Sequence, residues 1–190
     1  MSELGSLINS ISLKAGLFGK KPNGVDVYEK GLVLKYKNEE RVLPFSEISA
    51  IKSLNYGAPQ PPQYDLDIYD KDDKKIISLA IPYAQLSDAT LIFKTHEKYV
   101  LPTSARELIK TTDFELDPYL SWKNGSLFYK TRKGIQEYSP RDIDQFCIKN
   151  GSHYFTLKDS KDTVMLFVSD SFNVLAAIEI CRAIADIDHS

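Results

Sequence analysis

A pattern of two consecutive hairpins occurs twice in this chain of 190 residues. Residues 27–36 are followed by 41–48 in the first copy, and residues 121–130 by 135–143 in the second. In both copies an aromatic residue precedes a charged one and a Gly-centred turn, and two apolar strands follow with a polar turn between them. Short polar turns between alternating strands are typical of antiparallel hairpins. The repeat therefore predicts one small β-rich fold built twice.

The repeated residues indicate turns and core positions rather than chemistry. Gly31 and Gly125 are interpreted as the hairpin turns, and the aliphatic residues beside them as core. We expect a first domain over residues 1–112, with a short N-terminal helix or extension, and a second over residues 113–190. Both lengths are within the usual size range of a domain.

Hydrophobic periodicity places the elements along the chain. Strands are predicted at residues 11–17, 25–29, 32–37, 41–45, 48–56, 64–70, 76–81, 119–123, 127–131, 135–139, 143–149, 153–158 and 163–168, with a short one near Phe114. Helices are predicted near the N-terminus (Leu4, Leu7, Ile8 and Ile11), from Ser87 onward, at 103–110 and at 171–187.

Four short segments carry a resemblance to a known family. They are residues 27–33 and 45–48 in the first copy, and 122–125 and 140–143 in the second. On these segments the chain resembles bacterial proteins with two tandem pleckstrin-homology (PH)-like domains. The resemblance implies a mainly β fold with α-helices (α+β), in which two half-open antiparallel barrels each end in a capping helix. It implies no catalytic chemistry, because the shared positions are turn glycines and core aliphatics.

The balance of charge argues against several classes of partner. The chain has 24 Lys and Arg against 26 Asp and Glu, a net charge of −2, whereas nucleic-acid binding requires a basic excess. Its start does not resemble a signal peptide, and it has no long apolar run, so we expect a cytoplasmic protein. The acidic turn at residues 70–73 lacks the Gly and Glu of a calcium-binding loop, and no metal or cofactor is expected.

Motifs for catalysis are missing from the sequence. It has no phosphate-binding glycine loop, no serine-nucleophile elbow and no zinc-protease motif. Cys147 and Cys181 are interpreted as reduced, buried thiols, and His96 as a core histidine. His153 and His189 form no recognisable metal-binding spacing with it. The prediction is therefore a non-enzyme.

The favoured hypothesis is a protein-interaction or self-association module. The apolar residues of the last predicted helix cover more than half of its circumference. A helix that packs on a single sheet needs only a narrow apolar stripe. This additional apolar surface predicts contact with the other domain or with another copy of the chain, through Val174, Ile178, Cys181 and Ala185. The 11 tyrosines fit this hypothesis, because tyrosine is enriched at interfaces.

The alternative hypothesis is a peripheral membrane protein that binds an anionic ligand, such as a phosphorylated headgroup, through basic hairpin loops. Ammonium and guanidinium groups on a turn can hold a phosphate. The candidate residues are Lys14, Lys20 and Lys21 in the first copy and Lys130, Arg132 and Lys133 in the second. The near-neutral charge disfavours this alternative, because membrane recruitment by charge needs a concentrated basic face.

Overall fold

The computed structural model describes residues 2–13, 21–53 and 63–187. Its contacts divide the chain into two compact units, Met1–Val100 and Leu101–Ser190. Residues 101–112, which we expected to close the first domain, group with the second unit. Among the described residues, no helix has both the length and the apolar composition needed to cross a bilayer.

The first unit consists of two antiparallel sheets followed by a helix. The four-stranded sheet has the order β1-β2-β3-β4, and the three-stranded sheet has the order β5-β6-β7. Its elements are β1 (Leu7–Ser12), β2 (Gly24–Tyr28), β3 (Gly31–Lys35), β4 (Glu40–Pro44), β5 (Ile48–Ser53), β6 (Gln63–Asp70), β7 (Lys75–Pro82) and helix α1 (Leu86–Val100).

The second unit begins with a short helix and then repeats the same plan. Its four-stranded sheet has the order β11-β10-β9-β8, and its three-stranded sheet has the order β12-β13-β14. Its elements are α2 (Ala105–Leu108), β8 (Phe114–Glu115), β9 (Leu120–Lys123), β10 (Ser126–Thr131), β11 (Gly134–Tyr138), β12 (Ile143–Lys149), β13 (Ser152–Leu157), β14 (Thr163–Leu166) and helix α3 (Val174–Ala185).

The two units correspond at their irregular points as well as in their strands. A single 3-10 turn joins the two sheets in each unit, at Phe45–Glu47 and at Pro140–Asp142. The register then shifts between Ile48 and Ala50 in β5, and between Ile143 and Gln145 in β12. A bulge at this position bends the strand and redirects the chain into the second sheet. The predicted mainly β fold class is confirmed, and the four sheets are open.

Helix α1 closes the core of the first unit. Ala89, Ile92, Phe93 and His96 recur at helical spacing and are buried, and α1 contacts β2, β6 and β7. The imidazole of His96 has no exposed surface, and its ring centroid lies 5.2 Å from that of Phe45. Burial lowers the pKa of His96 from 6.5 to about 4. The predicted core histidine is confirmed as a buried residue.

The helix predicted near the N-terminus was wrong, and residues 14–17 of the strand predicted at 11–17 lie outside the described residues. A 3-10 turn covers Ser2–Leu4, and Leu7–Ser12 form β1 instead of a helix. Pairing with β2 places Asn9 opposite Val27 and Ile11 opposite Val25, and it outweighs the helical spacing of the apolar residues. Leu7 and Ile8 are about half exposed, whereas Ile11 is buried.

The buried carboxylate of Asp117 ties together two parts of the second unit. Its Oδ1 accepts hydrogen bonds from the backbone N–H of Tyr119 at 2.6 Å and of Leu120 at 2.8 Å. Its Oδ2 accepts a third from the N–H of Phe167, which directly follows β14, at 2.7 Å. Burial raises the pKa of Asp117, and the three N–H donors oppose that rise. The side chain thus links the turn before β9 to the end of β14.

The two glycines of the repeat are not equivalent. Asn124 and Gly125 form the β9–β10 turn with φ of 50° and 78°, as expected. Gly31 is instead the first residue of β3, and the β2–β3 turn is made by Glu29 and Lys30. A Cβ on Gly31 would lie 2.7 Å from the carbonyl oxygen of Leu43, so glycine is required there for close packing.

Substitutions at these two glycines are expected to differ in mechanism. Gly31→Ala should lower the free energy of unfolding by about 1–3 kcal/mol through overpacking. Gly125→Ala should lower the free energy of unfolding by about 1 kcal/mol. The space around Gly125 is open, but its left-handed backbone conformation disfavours a residue with a Cβ. Asparagine tolerates that conformation, so Gly125→Asn should recover stability while Gly31→Asn should lose more than Gly31→Ala. Urea unfolding of the four variants measures these free energies. A Gly31→Asn variant more stable than Gly31→Ala would contradict the close-packing explanation.

Candidate functional site

Strand β12 leaves one edge of its sheet open. In the described part of the chain its strand neighbour is β13, and β12 stands at the end of the order β12-β13-β14. Only Ile143 of its seven residues is buried. The equivalent strand β5 has four buried residues, Ile48, Ala50, Ile51 and Ser53. The side chains of β12 are therefore more accessible than those of the equivalent strand in the first unit.

The hairpin geometry determines which backbone groups face the open edge. A two-residue turn at Asn150 and Gly151, with φ of 51° and 77°, joins β12 to β13 and makes Lys149 and Ser152 the closing pair. The closing pair of such a hairpin is hydrogen-bonded, and hydrogen-bonded pairs alternate along antiparallel strands. Ile148 and Phe146 are therefore in non-hydrogen-bonded pairs, and their N–H and C=O groups point away from β13.

Helix α3 lies alongside β12. Asn173 caps the helix, because its Oδ1 accepts from the backbone N–H of Leu175 at 3.0 Å and of Ala176 at 3.1 Å. Ser171, where we predicted the start, precedes this cap. Nine of the twelve residues of α3 are buried, and the helix contacts both β12 and α2. These contacts fix one face of α3 beside the strand.

A groove of about 520 Å³ runs between β12 and the C-terminal part of α3. Phe146 and Ala185 provide apolar surface within it. The remaining lining residues are polar or charged: Asp144, Gln145, Arg182 and Asp186. Because four of the six lining residues are polar or charged, the groove suits a ligand with charged groups rather than an apolar small molecule.

Ion pairs and hydrogen bonds hold the groove's charged side chains in place. Arg182 pairs with Glu179 one turn earlier in α3, at 2.5 Å between Nη1 and Oε1. Asp186 pairs with Arg106 of α2, at 2.6 Å between Oδ2 and Nη2. Asp144 accepts a hydrogen bond at 3.1 Å from the hydroxyl of Thr156 on β13. These contacts reduce the number of side-chain conformations that a ligand would have to freeze.

The floor of the groove rests on an aromatic cluster. The ring centroid of Phe146 lies 5.0 Å from that of Phe155 and 6.4 Å from that of His153. Burial lowers the pKa of His153, and the positive charge of Arg182 lowers it further. The imidazole is therefore neutral near neutral pH. Its placement beneath Phe146 supports the floor of the groove.

The apolar side chains assigned to an interaction surface lie inside the folded chain. Val174, Ile178, Cys181 and Ala185 are each at most 7% exposed. Helix α2 contacts α3, and we had assigned its residues to the first domain. Part of the excess apolar surface of α3 is therefore explained by this contact, which the predicted boundary concealed.

The predicted basic residues can be located in the second unit and only in part in the first. Lys14 and Lys20 lie outside the described residues, and Lys21 is exposed. Lys130, Arg132 and Lys133 are exposed around the β10–β11 turn, where Thr131 Oγ1 accepts from the N–H of Lys133 at 3.1 Å. This hairpin brings together the three basic residues predicted in the second copy.

The cysteines and histidines have separate environments. Both cysteines are free thiols, but Cys147 on β12 is half-buried rather than buried as predicted, and burial raises the pKa of Cys181. His189 lies outside the described residues. Among residues 2–13, 21–53 and 63–187, no three His, Cys, Asp or Glu side chains are close enough to hold one metal ion.

The sequence predicted strand β12 but did not identify it as an edge strand. A strand's edge position depends on which other strands pair with it, and the local pattern of residues 143–149 contains no such signal. The contrast with β5 depends likewise on tertiary contacts. Neither a scan against models of known protein families nor a search of curated proteins returned a match.

Proposed function

We propose that this chain is a non-catalytic pair of PH-like domains whose second unit binds an extended segment of another protein. The observation that carries the proposal is the open edge of β12 beside the groove formed with α3. The PH-like assignment is supported by the arrangement of each unit, a four-stranded and a three-stranded antiparallel sheet followed by a helix. Binding is proposed to occur in the cytoplasm.

The backbone of β12 supplies the affinity in this proposal. The N–H and C=O groups of Phe146 and Ile148 face outward, so an incoming strand would extend the three-stranded sheet by one strand. Strand addition of this kind obtains affinity from main-chain hydrogen bonds, and specificity from pockets for alternate side chains. Ile148 is 48% exposed and offers additional apolar contact at the end of the strand.

The groove determines which side chains the segment carries. Phe146 accepts one apolar side chain from the segment, because it is half-buried in the groove, whereas the other apolar lining residue, Ala185, is only 7% exposed. Asp144 on β12 and Asp186 at the end of α3 favour a lysine or arginine next to that apolar side chain, and Arg182, one turn earlier in α3, favours an acidic residue. The proposed ligand is therefore an extended segment with a central apolar residue and charged neighbours of both signs.

The function can be tested by selecting peptides of this kind from a random library displayed on phage, with the full chain as bait. We expect the selected peptides, synthesised and added to the protein, to perturb the NMR signals of the Phe146 and Ile148 amides. Ile148→Pro should reduce their affinity by about tenfold or more, because it removes one outward N–H without removing a bond to β13.

Ile148→Ala is the matched control, because it shortens the same side chain and keeps the N–H. Ile148→Ala should bind the selected peptides with an affinity closer to that of the wild type than Ile148→Pro does. Equal affinity of the two variants, or perturbed signals confined to residues outside β12 and α3, would overturn the proposal.

The second candidate function is binding of an anionic headgroup at the β10–β11 turn. It is favoured by the clustering of Lys130, Arg132 and Lys133, with Ile135 71% exposed in the adjacent strand. The net charge of −2 weighs against it. Sedimentation with phosphatidylserine vesicles measures this binding. Binding through the β10–β11 turn predicts that the variant Arg132→Glu/Lys133→Glu no longer sediments with the vesicles.

A further inference from the structure

Three Asn-Gly pairs occur in the chain, at residues 23–24, 124–125 and 150–151, and their backbones are held very differently. In such a pair the glycine has no Cβ, so its backbone nitrogen can approach the asparagine side chain closely. Asparagine is also one of the thermolabile residues of proteins. The surroundings of each pair therefore decide whether its asparagine is chemically stable.

The reaction open to an Asn-Gly pair is deamidation through a cyclic imide. The backbone nitrogen of the glycine attacks Cγ of the asparagine and forms a new N–Cγ bond. The Cγ–Nδ2 bond breaks, and Nδ2 leaves as ammonia with the proton that the glycine nitrogen loses. Water then opens the imide at either carbonyl, which gives aspartate or isoaspartate. The reaction consumes only water, but the peptide group between the two residues must first rotate towards the side chain.

The peptide group between Asn23 and Gly24 is fixed by the first sheet. The N–H of Asn23 donates to the carbonyl of Lys35 at 2.8 Å, and its own carbonyl accepts from the N–H of Leu13 at 2.9 Å. Gly24 is buried as the first residue of β2, between Ser12 and Lys35. Although Asn23 itself is exposed, rotation of this peptide group breaks the bond to Leu13.

The pair at Asn150 and Gly151 stands instead at the tip of the β12–β13 hairpin. Both residues are exposed and left-handed, with φ of 51° and 77°. The ladder of the hairpin begins at the closing pair Lys149 and Ser152, so the peptide group of the turn lies beyond it. Exposed turns open locally at a much lower free energy than buried strands. The rotation that the reaction needs is therefore available at Asn150 without loss of the sheet.

The pair at Asn124 and Gly125 has the same turn conformation and one additional anchor. Its φ values are 50° and 78°, and both residues are exposed. The N–H of Asn124 donates to Oδ1 of Asp113 at 3.0 Å, which ties the turn to the residue before β8. Opening of this turn must break that bond, so the reaction at Asn124 is expected to be slower than at Asn150.

We propose that Asn150, and more slowly Asn124, are sites of spontaneous conversion to aspartate and isoaspartate, whereas Asn23 is protected by the sheet. Isoaspartate carries the main chain through its Cβ and Cγ, so it adds one carbon to a turn of two residues. Both products also add a negative charge. At Asn150 the change falls at the end of β12, and the hairpin that begins there is expected to become less stable.

Incubation of the folded full chain at mildly alkaline pH provides the test, with proteolytic peptides analysed by mass spectrometry at intervals. Asn150 should be converted at least about tenfold faster than Asn23, and Asn124 at a rate between them. In a parallel incubation in urea the three rates should converge, because the unfolded chain has no sheet to protect Asn23. Equal rates at Asn23 and Asn150 in the folded chain would overturn the proposal, and so would a difference that persists in urea.

A matched pair of variants tests the anchor at Asn124. Asp113→Ala removes the acceptor, and the rate at Asn124 should rise towards that at Asn150. Asp113→Asn removes the same charge but keeps a side-chain oxygen that can accept, so its rate should stay near that of the wild type. Asn150 serves as the internal reference in each sample. Equal rates at Asn124 in the two variants would contradict the ranking of the two turns. Peptide binding at β12 enters none of these measurements, so the proposed function and this proposal can fail separately.

Discussion

Replacing Trp122 by alanine is expected to lower the free energy of unfolding by about 4 kcal/mol. The indole is 1% exposed on β9, opposite the fully buried Leu127. Its Nε1 donates a hydrogen bond at 2.8 Å to the carbonyl oxygen of Ile109, the residue that ends α2. The substitution opens a cavity and also removes the partner of a buried carbonyl, and both changes destabilise the second unit.

Urea unfolding followed by far-UV circular dichroism measures this loss, because Trp122 is the only tryptophan and its fluorescence disappears in the variant. Trp122→Phe is the matched control. It keeps most of the apolar volume and loses the hydrogen bond, so its cost should be about 1–2 kcal/mol. A loss below about 1 kcal/mol in Trp122→Ala would contradict the role of this residue in anchoring α2 to the sheet.

Acidification is expected to remove about 3 kcal/mol of stability through His96 alone. The unfolded chain binds a proton at His96 with a pKa near 6.5, whereas burial lowers the pKa of the folded state to about 4. Between these two pH values the unfolded state is protonated and the folded state is not. The contribution is therefore complete above pH 6.5 and is lost as the pH falls towards 4.

His96→Leu isolates this effect from the carboxylates that titrate in the same range. The variant keeps a side chain of similar size but cannot take up a proton. The difference in unfolding free energy between wild type and variant should therefore change by about 3 kcal/mol from pH 6.5 to pH 4. Parallel stability curves for the two proteins over this interval would contradict the assignment of the proton-linked loss to His96.

The hairpins were predictable because local residues specify them. Asn124-Gly125 and Asn150-Gly151 both take the left-handed conformations that a two-residue turn requires, and the strands beside them formed where alternation predicted. The 3-10 turns before β5 and β12 coincide with segments 45–48 and 140–143 of the repeat. Duplication strengthened these predictions, since each copy gave an independent view of the same elements.

Features that depend on distant contacts were predicted less well. Helical spacing in Leu4, Leu7, Ile8 and Ile11 gave no indication that residues 7–12 pair with β2. Gly31 was assigned to a turn, although its role depends on the carbonyl of Leu43 a strand away. In both cases a non-local partner determines the local structure, and that partner cannot be read from a short window of sequence.

The candidate site was even less accessible to sequence. The sequence shows the wide apolar surface of α3, but it places α2, which contacts α3, in the first predicted domain. The open edges of β11 and β12 produce no pattern in their residues, because an edge is defined by the absence of a neighbouring strand.

The order of the strands has a consequence for how the chain acquires its structure. Every pairing among the described residues joins strands that follow each other directly in the chain. Pairing between neighbours closes short loops, and proteins dominated by short-range contacts fold faster than those that must bring distant segments together. During synthesis, the seven strands of the first unit can therefore complete their pairing while the second unit is still being translated.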